Sequence, residues 1–359
     1  MPNVYERLRE RLDTFPQGFP KTESGVELEI LQYLFTPNEA EITLHLRPFP
    51  EKVAGIAERT GKDKTELGET LYDMSRRGLI LRYRAPDEEL YYFLIPWIIG
   101  IWEFQLNNLT QESIRLYEKY FEEGMVPAQR DRKIREFRVI PVEKEIEGDT
   151  EIQPYEKVSQ IIESHTTFAV ADCICRKEAR MLGKGCDHLL ETCLSLGASA
   201  DFYIENGLGR EISKEEAKEI LLKAEEDGLI HCSTNSAGNK AFICNCCGCC
   251  CKYLALVTKY GNPNAIARSN YYAVKDHETC TDCGTCVERC QVYAIRSEDD
   301  HTIIDRGKCI GCGLCASTCP TGSITMVQKS PEEASPIFSS GKEMLQAMGK
   351  ERGKVYPFE

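Results

Sequence analysis

The sequence predicts an α+β, multidomain protein, and three observations carry that prediction. Eight cysteines between residues 280 and 319 fall in two copies of one pattern. A second cysteine field, residues 173–251, is interleaved with a helix and a hairpin. The first hundred residues read helix, helix, helix, hairpin. At 359 residues the chain has room for two or three domains, and its 42% hydrophobic and 28% charged residues suit a soluble globular protein.

Residues 4–14 form a charged amphipathic helix, stopped by the turn residues Pro16, Gly18 and Pro20. Leu28, Leu31 and Leu34/Phe35 share one helical face. Pro50 opens a helix over 51–59 with Val53, Ala54, Ile56 and Ala57 inward. After Gly61, residues 65–77 form a third, with Leu67, Leu71 and Met74 inward and Gly78 at its end. Residues 79–83 and 90–94 alternate like strands about Ala85-Pro86-Asp87. This order, over residues 1–108, resembles a winged helix-turn-helix domain. The resemblance implies DNA or protein docking, and charge separates the two. On the reading helix and its approach, Lys62, Lys64, Arg76 and Arg77 are cancelled by Asp63, Glu66, Glu69 and Asp73, and the whole chain carries −13. A protein-docking or structural role is expected, with no nucleic acid.

The longest apolar run, 91–106, is interrupted by Pro96 and Glu103 and is too short for a bilayer, so it predicts buried core or an interface and no membrane span. The N-terminus is charged throughout and does not read as a signal peptide. With nineteen cysteines, a cytoplasmic protein that keeps its thiols for metal is expected.

Residues 109–150 read as a helix over 111–121, a strand over 137–146 and a linker, Glu147-Gly148-Asp149-Thr150. A cysteine-rich helix-plus-hairpin module follows at 151–265. It has a helix over 155–163, a strand over 168–171 running into Cys173, and a helix over 214–227 with Ser213 and Glu216 as a capping box. Its hairpin is 229–232 with 240–244. Cys173, Cys175, Cys186 and Cys193 are enough thiolates for one cubane and read as one set, with C-x-C at a strand end presenting both sulfurs to one side. Cys244, Cys246, Cys247, Cys249, Cys250 and Cys251 form a second group, with Cys232 upstream in its own strand. The pairs 246/249 and 247/250 are expected on the first turn of a helix continuing through 253–259. As inert thiols they would be poor packing. His165 and His188 are not read as ligands.

Cys280, Cys283, Cys286 and Cys290 spell C-x-x-C-x-x-C-x-x-x-C, and Cys309, Cys312, Cys315 and Cys319 repeat it 29 residues later. The same offset aligns Val274-Lys275-Asp276 with Ile303-Ile304-Asp305 and Ile295 with Ile324. A loop so spaced delivers three sulfurs to one iron–sulfur cluster, and the fourth cysteine points the other way. Paired zinc sites or a disulfide scaffold fit less well, because structural zinc uses two separated C-x₂₋₄-C pairs. Residues 270–329 resemble the bacterial two-[4Fe-4S] ferredoxin. The resemblance implies a pseudo-twofold domain with one cluster on Cys280, Cys283, Cys286 and Cys319 and the other on Cys309, Cys312, Cys315 and Cys290. Pro320 follows the second run as in that family, but Gln291 stands where the first run would have proline. Residues 139–329 as a whole resemble anaerobe "4Fe-4S binding proteins", which implies further iron–sulfur ligation without a particular activity. Residues 330–359 are a tail.

For the middle field this neighbour favours one or two additional iron–sulfur clusters over zinc or a thiol-redox centre. The expected function is a multi-cluster electron carrier working with a redox partner, whose cationic patch an acidic surface would suit. The alternatives are an oxidoreductase with an active-site cluster in 173–251 and an iron–sulfur redox regulator. No G-x-G-x-x-G follows a strand and no P-loop is present, so flavin or nicotinamide is not indicated.

Overall fold

Helices and strands mix throughout the computed structural model, which describes residues 2–85, 88–146 and 153–354. The chain divides into two units: Met1–Arg132 with Ile204–Leu208 and Leu345–Glu359, and Lys133–Tyr203 with Gly209–Met344. None of the described helices is long and apolar enough to cross a membrane.

In the first unit, α1 (Val4–Leu12) is capped by Asn3, whose side chain accepts from the Tyr5 and Glu6 amides while Glu6 returns a bond to the Asn3 amide at 2.6 Å. Leu8 and Leu12 turn its buried face inward. α2 (Val26–Leu34) follows, then α3 (Pro37–Leu44), an element the apolar periodicity does not predict. Its start is written in Thr36, Pro37 and Glu39, a capping box with proline in the first turn. The helix expected from residue 51 begins two residues later, because β1 (Glu51–Lys52) is drawn into a sheet before α4 (Val53–Thr60). α5 (Lys64–Arg76), capped by Asp63, leads to β2 (Leu81–Arg84) and β3 (Leu90–Phe93). The sheet order is β1-β3-β2, all antiparallel. Pro86 and Asp87 of the expected turn lie outside the described residues. The apolar run is core: Trp97, Ile98, Ile101 and Trp102 are buried. α6 (Gln111–Tyr120) and α7 (Val126–Arg130) complete this part.

The second unit is built on one antiparallel sheet of six strands: β4 (Phe137–Ile140), β5 (Phe168–Asp172), β6 (Glu191–Leu196), β7 (Arg210–Ile212), β8 (Ile230–Thr234) and β9 (Phe242–Cys246). The order is β4-β8-β9-β6-β5-β7. β4 is shorter than expected, since Pro141 has no N–H to continue a ladder; the expected linker, 147–150, lies outside the described residues. Helices α8 (Val158–Glu163), α9 (Ile174–Met181), α10 (Ala198–Glu205), α11 (Lys214–Glu226) and α12 (Lys252–Thr258) connect the strands. Ser213 caps α11 through the Glu216 amide at 3.1 Å. α8 and α11 cover one sheet face, where Ile161, Ile162, Ile220 and Leu221 pack on Phe168, Val170, Leu194, Leu196 and Ile243.

Beyond it come β10 (Tyr271–Lys275), α13 (Thr285–Arg289), β11 (Ile295–Glu298), β12 (His301–Ile304), α14 (Leu314–Ser317) and β13 (Ile324–Gln328). β10 pairs with β13 and β11 with β12, so each ladder joins a strand of one copy to a strand of the other. α13 and α14 sit at the 29-residue offset, and each opens at a left-handed glycine, Gly284 (φ 80°) and Gly313 (φ 82°). α15 (Gly341–Glu351) follows.

Candidate metal centres

The loops before α13 and α14 carry the doubled runs, and the strand pairing folds the end of each run back onto the other copy. Cys290 therefore leaves its own run and joins Cys309, Cys312 and Cys315 around one cavity, walled by Val292, Ile295, Ile310, Leu314 and Met326. Cys319 leaves the second run and faces Cys286 alongside Cys280 and Cys283. Four soft donors around an apolar, water-poor space fit a thiolate-bound cluster, so the donor set suits the group the spacing implies.

The two sets have different surroundings. Burial pushes the Cys312 thiol up to about 12 and Cys315 well above its usual value, a cost that metal binding to the thiolates would offset. In the other set Cys283 is exposed, and the Thr285 hydroxyl, at 3.4 Å, holds its thiol below the usual value. Backbone amides reach both sets: Asp282 donates to Cys280 at 3.4 Å and Ala294 to Cys290 at 3.2 Å.

The eleven cysteines of the middle field separate into seven and four, not along the lines the spacing predicts. Register explains the seven. Cys232 on β8 pairs with Cys244 on β9, and the Leu194–Ile243 pair puts Cys193 of β6 on the other side of Cys244. These three thiols line up across the sheet, on the face away from α8 and α11. Cys246, two residues along β9, shares that face and lies against Cys232, Cys244 and Cys251. Cys251 touches Cys175, which touches Cys173. The row is thus 173, 175, 251, 246, 232, 244, 193.

Cys173 and Cys175 do meet, but not by strand geometry: Cys173 is the N-cap of α9 and Cys175 lies in its first turn. Cys251 is likewise the N-cap of α12. Two helix N-termini, the positive ends of their dipoles, thus bear on this end of the row. Cys173 is held below the usual thiol value, first by its contact with Cys175, while neighbouring thiols and burial push Cys175 well above it.

Cys186 is not placed with Cys173, Cys175 and Cys193. It stands with Cys247, Cys249 and Cys250, whose four sulfurs all lie within 4.8 Å of one another. Cys247 and Cys250 are together as expected, but on a turn between β9 and α12, and Cys246 is in the row instead of beside Cys249. Of the histidines, His188 is held by Asp227 at 3.2 Å and His165 bonds the Ile161 carbonyl at 2.9 Å.

Between the row and the four lies Arg176, fully buried. It donates to the Asn245 carbonyl at 2.8 Å and to Thr192, and its Nη1 is 4.0 Å from the Cys247 sulfur. Burial works against its charge, yet the neighbouring sulfurs of Cys173, Cys247 and Cys246 outweigh it and hold its pKa up. No carboxylate pairs with Arg176 among the described residues. A buried cation without a carboxylate needs another anion, and the surrounding sulfurs supply it only as thiolates.

Gln291 is tied to the cysteine loop of the middle field. Its side-chain oxygen accepts from the Gly248 amide at 2.9 Å, and its backbone carbonyl crosses so close that a Cβ on Gly248 would fall 1.9 Å from the oxygen. The exit of the first ferredoxin-like run is thereby seated on the cysteine loop 247–250. Gly248→Ala forces backbone apart from backbone, at a cost of about 1–3 kcal/mol or more. Its denaturation midpoint should fall clearly below that of Gly55→Ala, where a Cβ meets nothing within 4 Å. Equal midpoints would contradict this packing.

Residues 272–326 match the family model described as a 4Fe-4S dicluster domain. The chain therefore has an iron–sulfur, ferredoxin-type domain near its C-terminus, suited to at least one [4Fe-4S] cluster. No curated protein matches the chain. Two contributors escaped the sequence reading. Cys232 stands in a strand of its own in the sequence, and only the observed β8–β9 register sets it opposite Cys244. Arg176 was visible only as the residue after C-x-C.

Proposed function

We propose that the protein is a multi-cluster iron–sulfur electron carrier, with two [4Fe-4S] clusters in the C-terminal domain and one further iron–sulfur centre on the row of seven cysteines. The observation that carries this reading is the convergence of Cys290 with Cys309, Cys312 and Cys315 around an apolar cavity. Bound clusters would supply one-electron storage without bond rearrangement. The chain's own residues hold them, exclude water and link them. Val142, just beyond β4, donates its amide to the Cys312 carbonyl at 2.9 Å, tying the sheet to the second run. Burial, with the charges of Cys251 and Cys312 adding to it, pushes the Cys232 thiol up, so the row lies within electrostatic reach of the second set. Cys283, exposed at the far set, marks the edge where a redox partner would exchange electrons. Seven sulfurs cannot supply the eight ligands of two separate cubanes, so the row takes one centre.

An anaerobic potentiometric titration followed by EPR tests this. Two inequivalent [4Fe-4S] signals from the C-terminal domain are expected, with a further signal or coupling from the row. A protein with no reducible cluster would end the electron-carrier reading.

The winged-helix-like part of the first unit is proposed to dock protein or to serve the fold. Three of the four basic side chains counted on its reading helix and its approach are engaged within that unit: Arg77 pairs with Asp73 at 3.0 Å and with Glu39, Arg76 donates to the Glu205 carbonyl at 2.7 Å, and Lys62 to Asn38 at 3.1 Å. Few donors are left for phosphates, and the chain is acidic. No sequence-specific gel shift is expected from the full chain at physiological salt. A specific shift would bring the regulator reading forward.

A further inference from the structure

The sulfurs of Cys186, Cys247, Cys249 and Cys250 close on one another as a group of four, whereas those of the row meet in succession along it. Cys186 approaches Cys250 at 3.6 Å and Cys247 at 3.8 Å, and Cys249 approaches Cys250 at 3.7 Å. Among the described residues this is the one set of three or more Cys, His, Asp or Glu ligand atoms lying within 4.8 Å of each other. Zinc–sulfur bonds near 2.3 Å in a tetrahedron put its thiolates about 3.8 Å apart. In a cubane each thiolate binds a different iron, so the sulfurs stand farther apart than the edge of a single-ion tetrahedron. No three sulfurs of the ferredoxin-type domain lie within 4.8 Å of one another.

We propose that Cys186, Cys247, Cys249 and Cys250 bind a single four-coordinate zinc ion, separate from the iron–sulfur centres. Sulfur–sulfur contact alone would also describe packed thiols, so the surroundings matter. Four thiolates around Zn²⁺ leave a charge of −2, and Arg176, buried beside Cys247 without a carboxylate, offsets part of it. Neutral thiols would leave that arginine uncompensated.

The two loops are also built to meet. Arg180 of α9 reaches forward to the Cys186 carbonyl at 3.0 Å and the His188 carbonyl at 2.6 Å. Gly185 permits this closure, because a Cβ there would lie 2.4 Å from the Arg180 side chain. Asp227 takes the Leu189 amide at 2.7 Å, fixing the same loop from α11. On the other side Cys247 and Cys250 are buried against Ala224 and Leu229, and the Gly248–Gln291 contact sets the turn. The ion would therefore act as a structural clasp between the α9–β6 loop and the β9–α12 loop. With all four positions filled by sulfur, no place is open for substrate.

Elemental analysis of the full-length protein, purified anaerobically from medium containing both metals, tests the assignment. About one zinc per chain is expected beside the iron. Cys249→Ser, at the exposed corner of the set, should lose that zinc and keep the wild-type iron content. Cobalt substitution of the wild-type site should give the intense visible bands of a tetrahedral thiolate ion. Three results would overturn the proposal: loss of about four irons in Cys249→Ser, which indicates a cubane; loss of about one iron, which indicates a mononuclear iron site; or no zinc and no change of metal, which leaves packed thiols. None of these depends on whether the ferredoxin-type clusters carry electrons, since the EPR titration reads that separately.

Discussion

Cys290→Ala is expected to lose the same cluster as Cys312→Ala, although the two cysteines belong to different runs. The β10–β13 and β11–β12 ladders fold each copy against the other, and Cys290 consequently faces the cavity of Cys309, Cys312 and Cys315. Both variants should lose about four irons and leave the same EPR signal. That surviving signal is the one removed by Cys283→Ala or Cys319→Ala. If Cys290→Ala instead resembled Cys283→Ala, each run would close its own cluster and the crossed assignment would be wrong.

Arg176→Met should produce the second large effect. Methionine keeps an unbranched, apolar stem of roughly the aliphatic length of arginine but withdraws the guanidinium cation from between the row and the tight set. Removing one partner of a buried charge pairing typically costs about 3–5 kcal/mol, because the other charge is left uncompensated. Here that charge falls to the neighbouring sulfurs, Cys173 and Cys247 first, whose thiols are both held below the usual value, so metal content should fall at the row, at the four-cysteine set, or at both. Arg176→Lys keeps the charge but cannot reach Asn245, Thr192 and Cys247 with one planar fork, and should rescue only in part. Wild-type metal content and an unchanged denaturation midpoint in Arg176→Met would mean that the neighbouring sulfurs are neutral thiols.

How far the sequence could be read depended on the period of each signal. The doubled run was legible because its ligand spacing and flanking residues repeat at one offset, and the two helices and four strands fall at that offset. Most N-terminal helices were legible from apolar periodicity, while α3 was not, since its eight residues carry a start signal but little amphipathic pattern. The middle field was the least legible. Its partition depends on strand register: Cys193, Cys232 and Cys244 meet only because β6, β8 and β9 are adjacent, and β6 itself was not anticipated. Spacing grouped Cys186 with its neighbours in sequence, whereas the loop closed by Arg180 and Gly185 carries it to Cys247. Gln291 was visible as an oddity, but its contact with Gly248 joins segments 43 residues apart.

The most direct test of the central claim is an iron and acid-labile sulfide count on the wild-type protein and on the double variant Cys283→Ala/Cys312→Ala, both purified without oxygen. The wild type should hold about 12 irons and the double variant about 4, the remainder belonging to the row of seven. About 8 irons in the wild type with none in the double variant would contradict a third iron–sulfur centre, and equal iron in the two proteins would contradict the ferredoxin-type clusters themselves.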